Sequence, residues 1–301
     1  MNINKPPEEI LKDVQIFQKY SIKRESVNLP NLVYHYCSLE SFYKIIESGE
    51  LFLSHQSAMN DKSDSRLFFN ILVKRANQIA NELNAEILEK FLRLFYINMK
   101  DYFIASFSAE SDLLNQWLTY GDKGKGVSIG FYTNSLDVSP KIPYFSQSNE
   151  TGIGIFPLEY ISDTNFEIAD ELLYLACEGW FTTPPNVENL ILTKKHKSFE
   201  NEKEIRIVEI QDMRLNLNPD FLMLRTNNIG KHYEYRIKNS DQFVPFRKLK
   251  FRYDNQKYHI NNIWLGPENN CNEKHLTLFL EKNNTVLDAG ICKSSSPYTN
   301  R

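Results

Sequence analysis

The pattern of apolar and polar positions is most informative in residues 31–54, where it predicts a strand, a helix and a second strand in succession. The β-branched and aromatic run from Val33 to Tyr36 is typical of a short strand. Ser38 is a suitable N-cap for the helix, and Gly49 is a suitable left-handed residue at its end. The apolar face of this helix contains Leu39, Phe42, Tyr43 and Ile46. His35 is therefore expected on a strand that leads directly into a packed helix.

Beyond this stretch, helical and strand-like patterns follow one another without a regular rhythm. Two helical runs within residues 66–100 are separated near Asn84, a plausible cap for the second run. The other predicted helices cover residues 111–120, 164–178, 186–195 and 273–280, and the other predicted strands cover residues 102–107, 127–132, 203–210, 221–224, 243–246, 259–265, 285–287 and 289–292. This order favours an α+β fold, with a mixed or split β-sheet core and flanking helices, over a doubly wound fold. We predict an N-terminal helix and linker over residues 1–30 and a single α+β domain over residues 31–301.

Composition and charge narrow the functional classes. The chain has 301 residues and 42% hydrophobic content, which is enough to bury a sizeable core. Its net charge is −3, from 35 basic and 38 acidic residues, so no overall basic field indicates bulk binding of nucleic acid. Short basic segments at residues 194–197 and 247–252 are interpreted first as solvated faces.

Cysteine, histidine and apolar runs indicate a cytoplasmic protein without a metal or a membrane span. The four cysteines are far apart and form no CxxC pair, so reduced, structural thiols are expected. The six histidines are dispersed, which makes a dedicated zinc site improbable on spacing. No N-terminal apolar run is typical of a signal peptide, and no window is long enough to cross a bilayer.

His35 is the first candidate for chemistry. Alternation along the strand puts Tyr34 and Tyr36 on one face and His35 on the other. A single histidine on a strand is more often a structural core residue than a catalyst, so His35 alone does not define a site.

The second candidate is the acidic and basic pattern in NEKEIRIV. A period of two places Glu202, Glu204 and Arg206 on one face of a strand, with Ile205 and Ile207 on the other. An ordinary half-buried strand with paired charges gives the same pattern. The basic residues immediately upstream are Lys195, His196 and Lys197. A carboxylate held on a rigid strand among cations is suited to fixing a sugar hydroxyl or stabilising a developing cation.

The third candidate is the aromatic pair Trp117 and Tyr120, followed by the glycine-rich segment GDKGKG at residues 121–126. Glycines permit close approach of the backbone to a ligand, and exposed N–H groups there are suited to a phosphate. The spacing matches neither a Walker loop nor a dinucleotide fingerprint, so a hairpin turn is an equally good interpretation. Trp117 is interpreted first as a core residue and second as a stacking platform.

Four segments, in this order, resemble a widespread bacterial family defined as a domain of unknown function. They are YHYCSLESFYKIIESGELFLS, NQWLTYGDKGKGVSIGF, KHKSFENEKEIRIV and CKSSSPY, and together they span residues 32–298. This resemblance implies no activity, because the family was defined without one.

A second resemblance, to the ADP-ribosyltransferase superfamily, suggests a mechanism. The chain has a His-bearing strand, a helix with I-x-x-G, an aromatic beside a glycine loop and a Glu-bearing strand, and members with a His–Tyr–Glu trio bind NAD in a cleft of a split β-sheet. The resemblance implies that His35 hydrogen-bonds the adenosine-side ribose and that Tyr120 or Tyr132 stacks on the nicotinamide ring. It implies that Glu204 holds the nicotinamide-ribose 2′-hydroxyl and stabilises the oxocarbenium-like centre, as glycosidic cleavage requires.

The resulting hypothesis is an ADP-ribosyltransferase-like protein that uses NAD as its substrate. It would modify a macromolecule, either a protein or a nucleic acid, as a bacterial toxin or phage-defence effector. The expected catalytic residues are Glu204, His35 and Tyr120. The expected NAD-binding residues are His35, Tyr36, Ser38, Trp117, Tyr120, Lys197, Glu202 and Arg206. Ser106 or Ser128 loosely matches the hydroxyl that the superfamily carries on its middle strand.

Three alternatives stay open at this point. The first is a non-enzymatic sensor or binding module whose cleft holds a nucleotide or peptide. A nuclease that uses Glu202, Glu204 and Lys197 with a divalent ion is a second alternative. In the third, His35, Trp117 and Glu204 are structural, and any active groups lie in the loop of residues 60–64.

Overall fold

The computed structural model describes residues 14–15, 27–59, 66–143, 152–180, 184, 187–211, 233–238, 241–253 and 256–298. The N-terminal helix expected within residues 1–30 therefore lies almost entirely outside the described residues, as do the loop of residues 60–64 and the strand expected at residues 221–224. The helices are α1 (Leu39–Ser48), α2 (Leu67–Ile79), α3 (Ala85–Asn98), α4 (Leu114–Thr119), α5 (Glu167–Cys177), α6 (Val187–Leu192) and α7 (Glu273–Lys282). Among the described residues, no helix has both the length and the apolar character needed to span a membrane.

The strands confirm the α+β class. They are β1 (Leu32–Cys37), β2 (Glu50–His55), β3 (Asp101–Ser108), β4 (Val127–Tyr132), β5 (Ile153–Pro157), β6 (Glu159–Ile161), β7 (Lys194–His196), β8 (Glu204–Gln211), β9 (Glu234–Lys238), β10 (Gln242–Lys250), β11 (Tyr258–Ile260), β12 (Asn262–Leu265), β13 (Thr285–Leu287) and β14 (Ile291–Lys293).

Helix α1 begins and ends where its sequence predicts. The Ser38 hydroxyl accepts a hydrogen bond from the Ser41 N–H at 3.1 Å, which satisfies a donor that has no partner within the helix. Gly49 adopts a left-handed conformation with φ of 67°, and its N–H donates to the Ile45 carbonyl at 2.9 Å. Phe42 and Ile46 are buried and anchor the helix against the sheet, whereas Leu39 and Tyr43 of the predicted apolar face are exposed.

Local signals place other elements correctly but misjudge their ends. Asn84 caps α3 by accepting hydrogen bonds from the N–H groups of Glu86 and Ile87, as expected. The helix predicted over residues 186–195 is too long, because α6 ends at Leu192 and residues 194–196 form β7. Strand β7 pairs in parallel with β6, a tertiary contact that the local pattern does not reveal.

Ten of the described strands form one mixed, open sheet. Its main order is β14-β12-β4-β1-β3-β2-β10-β9, and β8 pairs with β3 and with β5. One edge of β3 pairs with β8 along its whole length. The opposite edge is shared, because β2 pairs at Phe103 and Ile104 whereas β1 pairs at Ser108. The sheet therefore divides along this edge of β3, with Ser106 between the two pairings.

The two faces of the sheet carry separate cores. One face packs apolar residues of β1, β3, β4 and β8 against α1 and α7. On the opposite face, α2, α3, α5 and α6 cover one end of β3 and β8. The other end of β3 and β8 on this second face is polar, and it adjoins an aromatic cluster of Tyr34, Tyr36 and Trp117.

Candidate functional site at the polar end of strands β3 and β8

Two serines and two charged residues meet on one face at the polar end of β3 and β8. Ser106 pairs with Arg206, and Ser108 pairs with Glu204. Because alternate residues of a strand share a face, all four side chains belong to the same face. Arg206 is 2% exposed and Glu204 is 5% exposed, so this is a buried polar region.

Glu204 accepts four hydrogen bonds, shared between its two carboxylate oxygens. The Ser106 hydroxyl and Arg206 Nε donate to Oε1 at 2.6 and 2.7 Å. Lys195 Nζ and Arg206 Nη2 donate to Oε2 at 2.6 and 3.2 Å. A carboxylate has about four acceptor sites, so the hydrogen-bonding capacity of Glu204 is filled.

Lys195 joins Glu204 to a second carboxylate, Glu202. Its Nζ atom donates to Glu202 Oε2 at 2.5 Å, and it also lies 4.7 Å from the centre of the Phe199 ring. Glu202 ends a short 3-10 helix, and Lys203 then turns the chain into β8 with φ of 46°. The bend directs both carboxylates to one ammonium group, although a residue separates them.

Burial and charge shift the pKa values of the two carboxyl groups in opposite directions. Burial alone would raise the pKa of Glu204, but the positive charges of Arg206 and Lys195 outweigh it and lower the pKa to about 2. For Glu202, burial raises the pKa, and the Lys195 ammonium offsets this only in part. Burial would lower the pKa of Lys195, yet the Glu204 charge and the hydrogen bonds raise it. Glu204 is therefore held ionised, while Glu202 takes up a proton more readily.

Tyr120 is near this cluster, and Trp117 is not exposed to a ligand. Burial, followed by the negative charge of Glu202, raises the pKa of Tyr120 to about 12. Trp117 is fully buried, and its ring meets Tyr36 edge-on with 4.8 Å between ring centres. The core interpretation therefore fits Trp117, whereas Tyr120 is half-buried and packs against the aromatic cluster.

The aromatic cluster is fixed by hydrogen bonds at its rim. The Tyr36 hydroxyl donates to the Glu110 carbonyl and accepts from the Leu113 N–H, each at 2.9 Å. Asp112 accepts from Trp117 Nε1 at 2.6 Å and from the Ser294 hydroxyl at 2.5 Å. These bonds attach α4 and the segment after β14 to the same wall of the molecule.

His35 does not join Glu204. Its ring packs on Phe107 with 5.5 Å between ring centres, and Phe107 belongs to the apolar core on the opposite face of the sheet. Its Nδ1 donates to the Ser106 carbonyl at 3.0 Å, at the position where the edge of β3 divides. Burial lowers the pKa of His35, so the ring is held neutral. His35 therefore has a structural position, in which its ring links β1 to β3.

Some of the other predicted site residues lie beside Glu204, and the rest lie in other parts of the structure. Arg206 and Glu202 are in it, and of the two candidate hydroxyls Ser106 contacts Glu204. Ser38 serves as the cap of α1, and Lys197 is exposed. Tyr132 donates to Asp288 at 2.9 Å, at the other end of β4.

The glycine-rich segment is a turn that uses its own N–H groups. Gly124 and Gly126 both donate to the Gly121 carbonyl, and Lys125 donates to the Asp122 carbonyl. Gly124 has φ of 86°, and a Cβ atom on Gly126 would lie 2.1 Å from the Cys37 carbonyl oxygen. The glycines here serve a tight turn, so these N–H groups are not available to a phosphate.

Two contributors were missed by sequence analysis as site residues. Lys195 is within a basic run, which suggested a solvated face, yet it is 3% exposed. The Tyr160 hydroxyl accepts from the Glu204 N–H at 2.7 Å, through the pairing of β6 with β7. Neither contact has a local signal, because each depends on the position of β7. Among the described residues, no group of three or more His, Cys, Asp or Glu residues has a metal-binding arrangement.

The fold and cluster define an α+β protein in which two carboxylates share a buried lysine. Residues 116–207 match the model of a family described as "Protein of unknown function (DUF2971)". The expected resemblance to a family without a defined activity is confirmed over this segment. The matched segment contains the two aromatic candidates, Trp117 and Tyr120. It also contains the charged residues around Glu204, which are Lys195, Glu202, Glu204 and Arg206. Ser106 and His35 lie outside it.

Comparison with curated proteins and with solved structures gave no match. The resemblance to ADP-ribosyltransferases thus stays a prediction.

Proposed function

We propose that the protein is an ADP-ribosyltransferase-like enzyme that cleaves the N-glycosidic bond of NAD beside Glu202 and Glu204. The observation that carries this proposal is that the two carboxylates share Lys195 while their pKa values are shifted in opposite directions. Pairs of titratable groups with separated pKa values are typical of sites that divide acid–base and electrostatic roles.

Glu204 supplies the fixed negative charge in this proposal. When the bond between nicotinamide and ribose breaks, the electron pair leaves with nicotinamide and positive charge develops on the ribose. An ionised carboxylate on a rigid strand stabilises that charge without having to reorganise. Arg206 and Ser106 hold the carboxylate in one orientation.

Glu202 supplies the proton acceptor. Within the described part of the chain, its hydrogen bond from Lys195 reaches Oε2, and no hydrogen bond reaches Oε1. An acceptor hydroxyl or amine that attacks the ribose loses a proton, which Glu202 takes up as neutral nicotinamide departs. Tyr120 lies within electrostatic range of Glu202 and offers a ring against which the nicotinamide can stack.

The residues around Glu204 account for one end of NAD, the nicotinamide riboside end. The ionised Glu204, the half-buried Tyr120 and Glu202 with its second carboxylate oxygen suit the nicotinamide riboside end. His35 is on the opposite face and takes no role here. The proposed acceptor is a macromolecule, protein or nucleic acid, as expected for a toxin or defence effector.

The test is incubation of the full chain with NAD, followed by mass spectrometry of the products. Release of nicotinamide is expected, and a Glu202→Gln variant should reduce its rate by about 10²-fold or more, since general acid–base groups contribute 10²–10⁴-fold. Glu200→Gln is the matched control, because Glu200 is an exposed glutamate on the same short helix. A well-folded protein that leaves NAD intact, with or without a macromolecular acceptor, would contradict the proposal.

One observation favours a second candidate, a non-enzymatic nucleotide or peptide sensor. The acceptor sites of Glu204 are filled by protein donors, so the residue is also suited to a purely structural role. A sensor would bind NAD or another nucleotide and release it unchanged. Binding measured by calorimetry, together with the product analysis, separates the two candidates.

A further inference from the structure

On strands β4 and β12, three buried polar atoms have no hydrogen-bond partner among the residues that the structure describes. They are Ser128 Oγ, Asn262 Oδ1 and Trp264 Nε1. Ser128 is fully buried and Asn262 is 8% exposed. Buried polar atoms are nearly always paired, because an unpaired one costs about 1–3 kcal/mol. Three such atoms within two adjacent strands therefore require an explanation.

The three residues share one face of the sheet. Ser128 pairs with Trp264, and Asn262 pairs with Gly130, so residues 128, 130, 262 and 264 alternate onto the same side. The next strand contributes Tyr36 beside Ser128 and Tyr34 beside Gly130. This is the face that carries Glu204, because Tyr34 pairs with Ser108 and Ser108 pairs with Glu204. We refer to Ser128, Asn262 and Trp264 as the β4–β12 polar triplet.

The triplet is near the tyrosines without being satisfied by them. Burial raises the pKa of both phenols, and the approach of Asn262 to Tyr34 and of Ser128 to Tyr36 acts against it. By distance and angle, however, Ser128 Oγ and Asn262 Oδ1 make no hydrogen bond within the described part of the chain. Gly130 leaves room for the Asn262 amide, since a Cβ atom there would lie 2.3 Å from Oδ1. The amide is therefore held over the strand.

The chemistry of the triplet selects the edge of a planar ligand. The Trp264 indole N–H only donates, the Asn262 carbonyl oxygen only accepts, and the Ser128 hydroxyl does either. A ligand that satisfies all three presents a donor and an acceptor side by side. Adenine carries this pair as its amino group and ring nitrogen, and a carboxamide carries it as well.

The position of the triplet suggests which end of a ligand it holds. Asn262, Gly130, Tyr34, Ser108 and Glu204 form one continuous row across β12, β4, β1, β3 and β8. Four strand spacings separate the ends of this row, which corresponds to roughly 19 Å. An elongated ligand is needed to reach both ends, and a dinucleotide has that form.

We infer that the β4–β12 polar triplet is a binding site for the planar edge of a nucleotide base, the adenine end of the dinucleotide. This inference deepens the proposed function and depends on it for the orientation of the ligand. The carboxamide of nicotinamide has the same hydrogen-bonding chemistry and is the other source that the experiment distinguishes.

The test measures binding of AMP and of nicotinamide separately to the full chain, by calorimetry or by ligand-observed NMR. AMP should bind, and a Trp264→Phe variant should weaken it roughly tenfold, because the ring stays while one hydrogen-bond donor is lost. Trp180→Phe is the matched control, since the Trp180 indole N–H already donates to Glu178 at 3.2 Å and the residue packs against the helical core at the other end of the face. Binding of nicotinamide with the same dependence on Trp264 would assign the site to the carboxamide.

A second variant guards against a folding defect. Ser128→Ala removes a buried hydroxyl that has no partner, so the free protein should unfold at an equal or higher temperature while AMP binding weakens. The inference is overturned if neither AMP nor nicotinamide binds, or if binding is unchanged in both Trp264→Phe and Ser128→Ala. Because AMP contains no nicotinamide bond, this result is independent of whether NAD is cleaved.

Discussion

Strands β3 and β8 present two different surfaces along the same face. At one end, Tyr102, Ile104, Val208 and Ile210 are buried under helices and form part of a large apolar core. At the other end, Ser106, Ser108, Glu204 and Arg206 occupy the equivalent alternating positions and are buried to a similar degree, apart from the half-buried Ser106. The backbone pairing is continuous between the two ends, so the difference is in the side chains alone.

The two ends contribute differently to the free energy of folding. At the apolar end, every methyl group that is removed from water stabilises the folded state. A buried ionic cluster gains little over an apolar replacement and loses much when one member is removed. The polar end is therefore the part of β3 and β8 whose composition is best explained by function, and the apolar end is the support that holds it rigid.

The largest effect is expected from removing the shared carboxylate. A Glu204→Ala variant leaves Arg206 and Lys195 buried without their common partner, so the free energy of unfolding should fall by about 3–5 kcal/mol. Chemical denaturation measures the change. A loss below about 1 kcal/mol would show that the cluster is hydrated and would remove the contrast between the two ends.

A truncation at the apolar end should cost nearly as much but leave chemistry intact. Ile210 is fully buried beside α2 and α3, and Ile210→Ala should lower the free energy of unfolding by about 3 kcal/mol. The rate of the proposed NAD cleavage per folded molecule should not change. A selective loss of activity in this variant would mean that the two ends are not functionally separate.

Acidification should weaken the polar end specifically. The pKa of Glu204 is about 2 in the folded protein and 4.5 ordinarily, so between these pH values the unfolded chain binds a proton that the folded chain does not. The stabilising contribution of Glu204 is complete above pH 4.5 and is lost as the pH falls towards 2. The raised pKa of Glu202 acts in the opposite sense and reduces the slope. Urea unfolding measured from pH 2 to 6 gives the free energy of unfolding at each pH. This free energy should depend less steeply on pH in Glu204→Gln than in the natural chain. Equal slopes in the two proteins would contradict the assignment.

The smallest effect is expected from a single donor. Ser106→Ala removes one hydrogen bond to a charged acceptor and should lower the free energy of unfolding by about 1.5 kcal/mol. Ser48→Ala removes an exposed hydroxyl that donates to the Lys44 carbonyl and should change it by less than about 0.5 kcal/mol. Thermal unfolding of both variants makes the comparison, and equal effects would indicate that the Ser106 bond contributes nothing to the cluster.

Local sequence signals predicted the elements of this fold better than its contacts. Ser38, Gly49 and Asn84 act through their own backbone neighbours, so the helix ends that they define could be placed from the sequence. Alternation likewise placed Glu204 and Arg206 together and correctly separated His35 from Tyr34 and Tyr36.

What the sequence could not provide was the relation between distant faces. Whether His35 and Glu204 share a face depends on the register of β1, β3 and β8, which no local period records. Lys195 enters the cluster only because α6 stops at Leu192 and the chain pairs with β6. The polar triplet could not be predicted for a similar reason. Its atoms are identified by their lack of hydrogen-bond partners, which is a property of the folded chain.

Asp112 carries a consequence for biosynthesis. It ties the indole of Trp117 to the hydroxyl of Ser294, residues that are far apart along the chain. The two hydrogen bonds can both form only after the chain has been synthesised as far as Ser294. The contact therefore joins residues of high sequence separation, and it is expected to form after the local helices and strands.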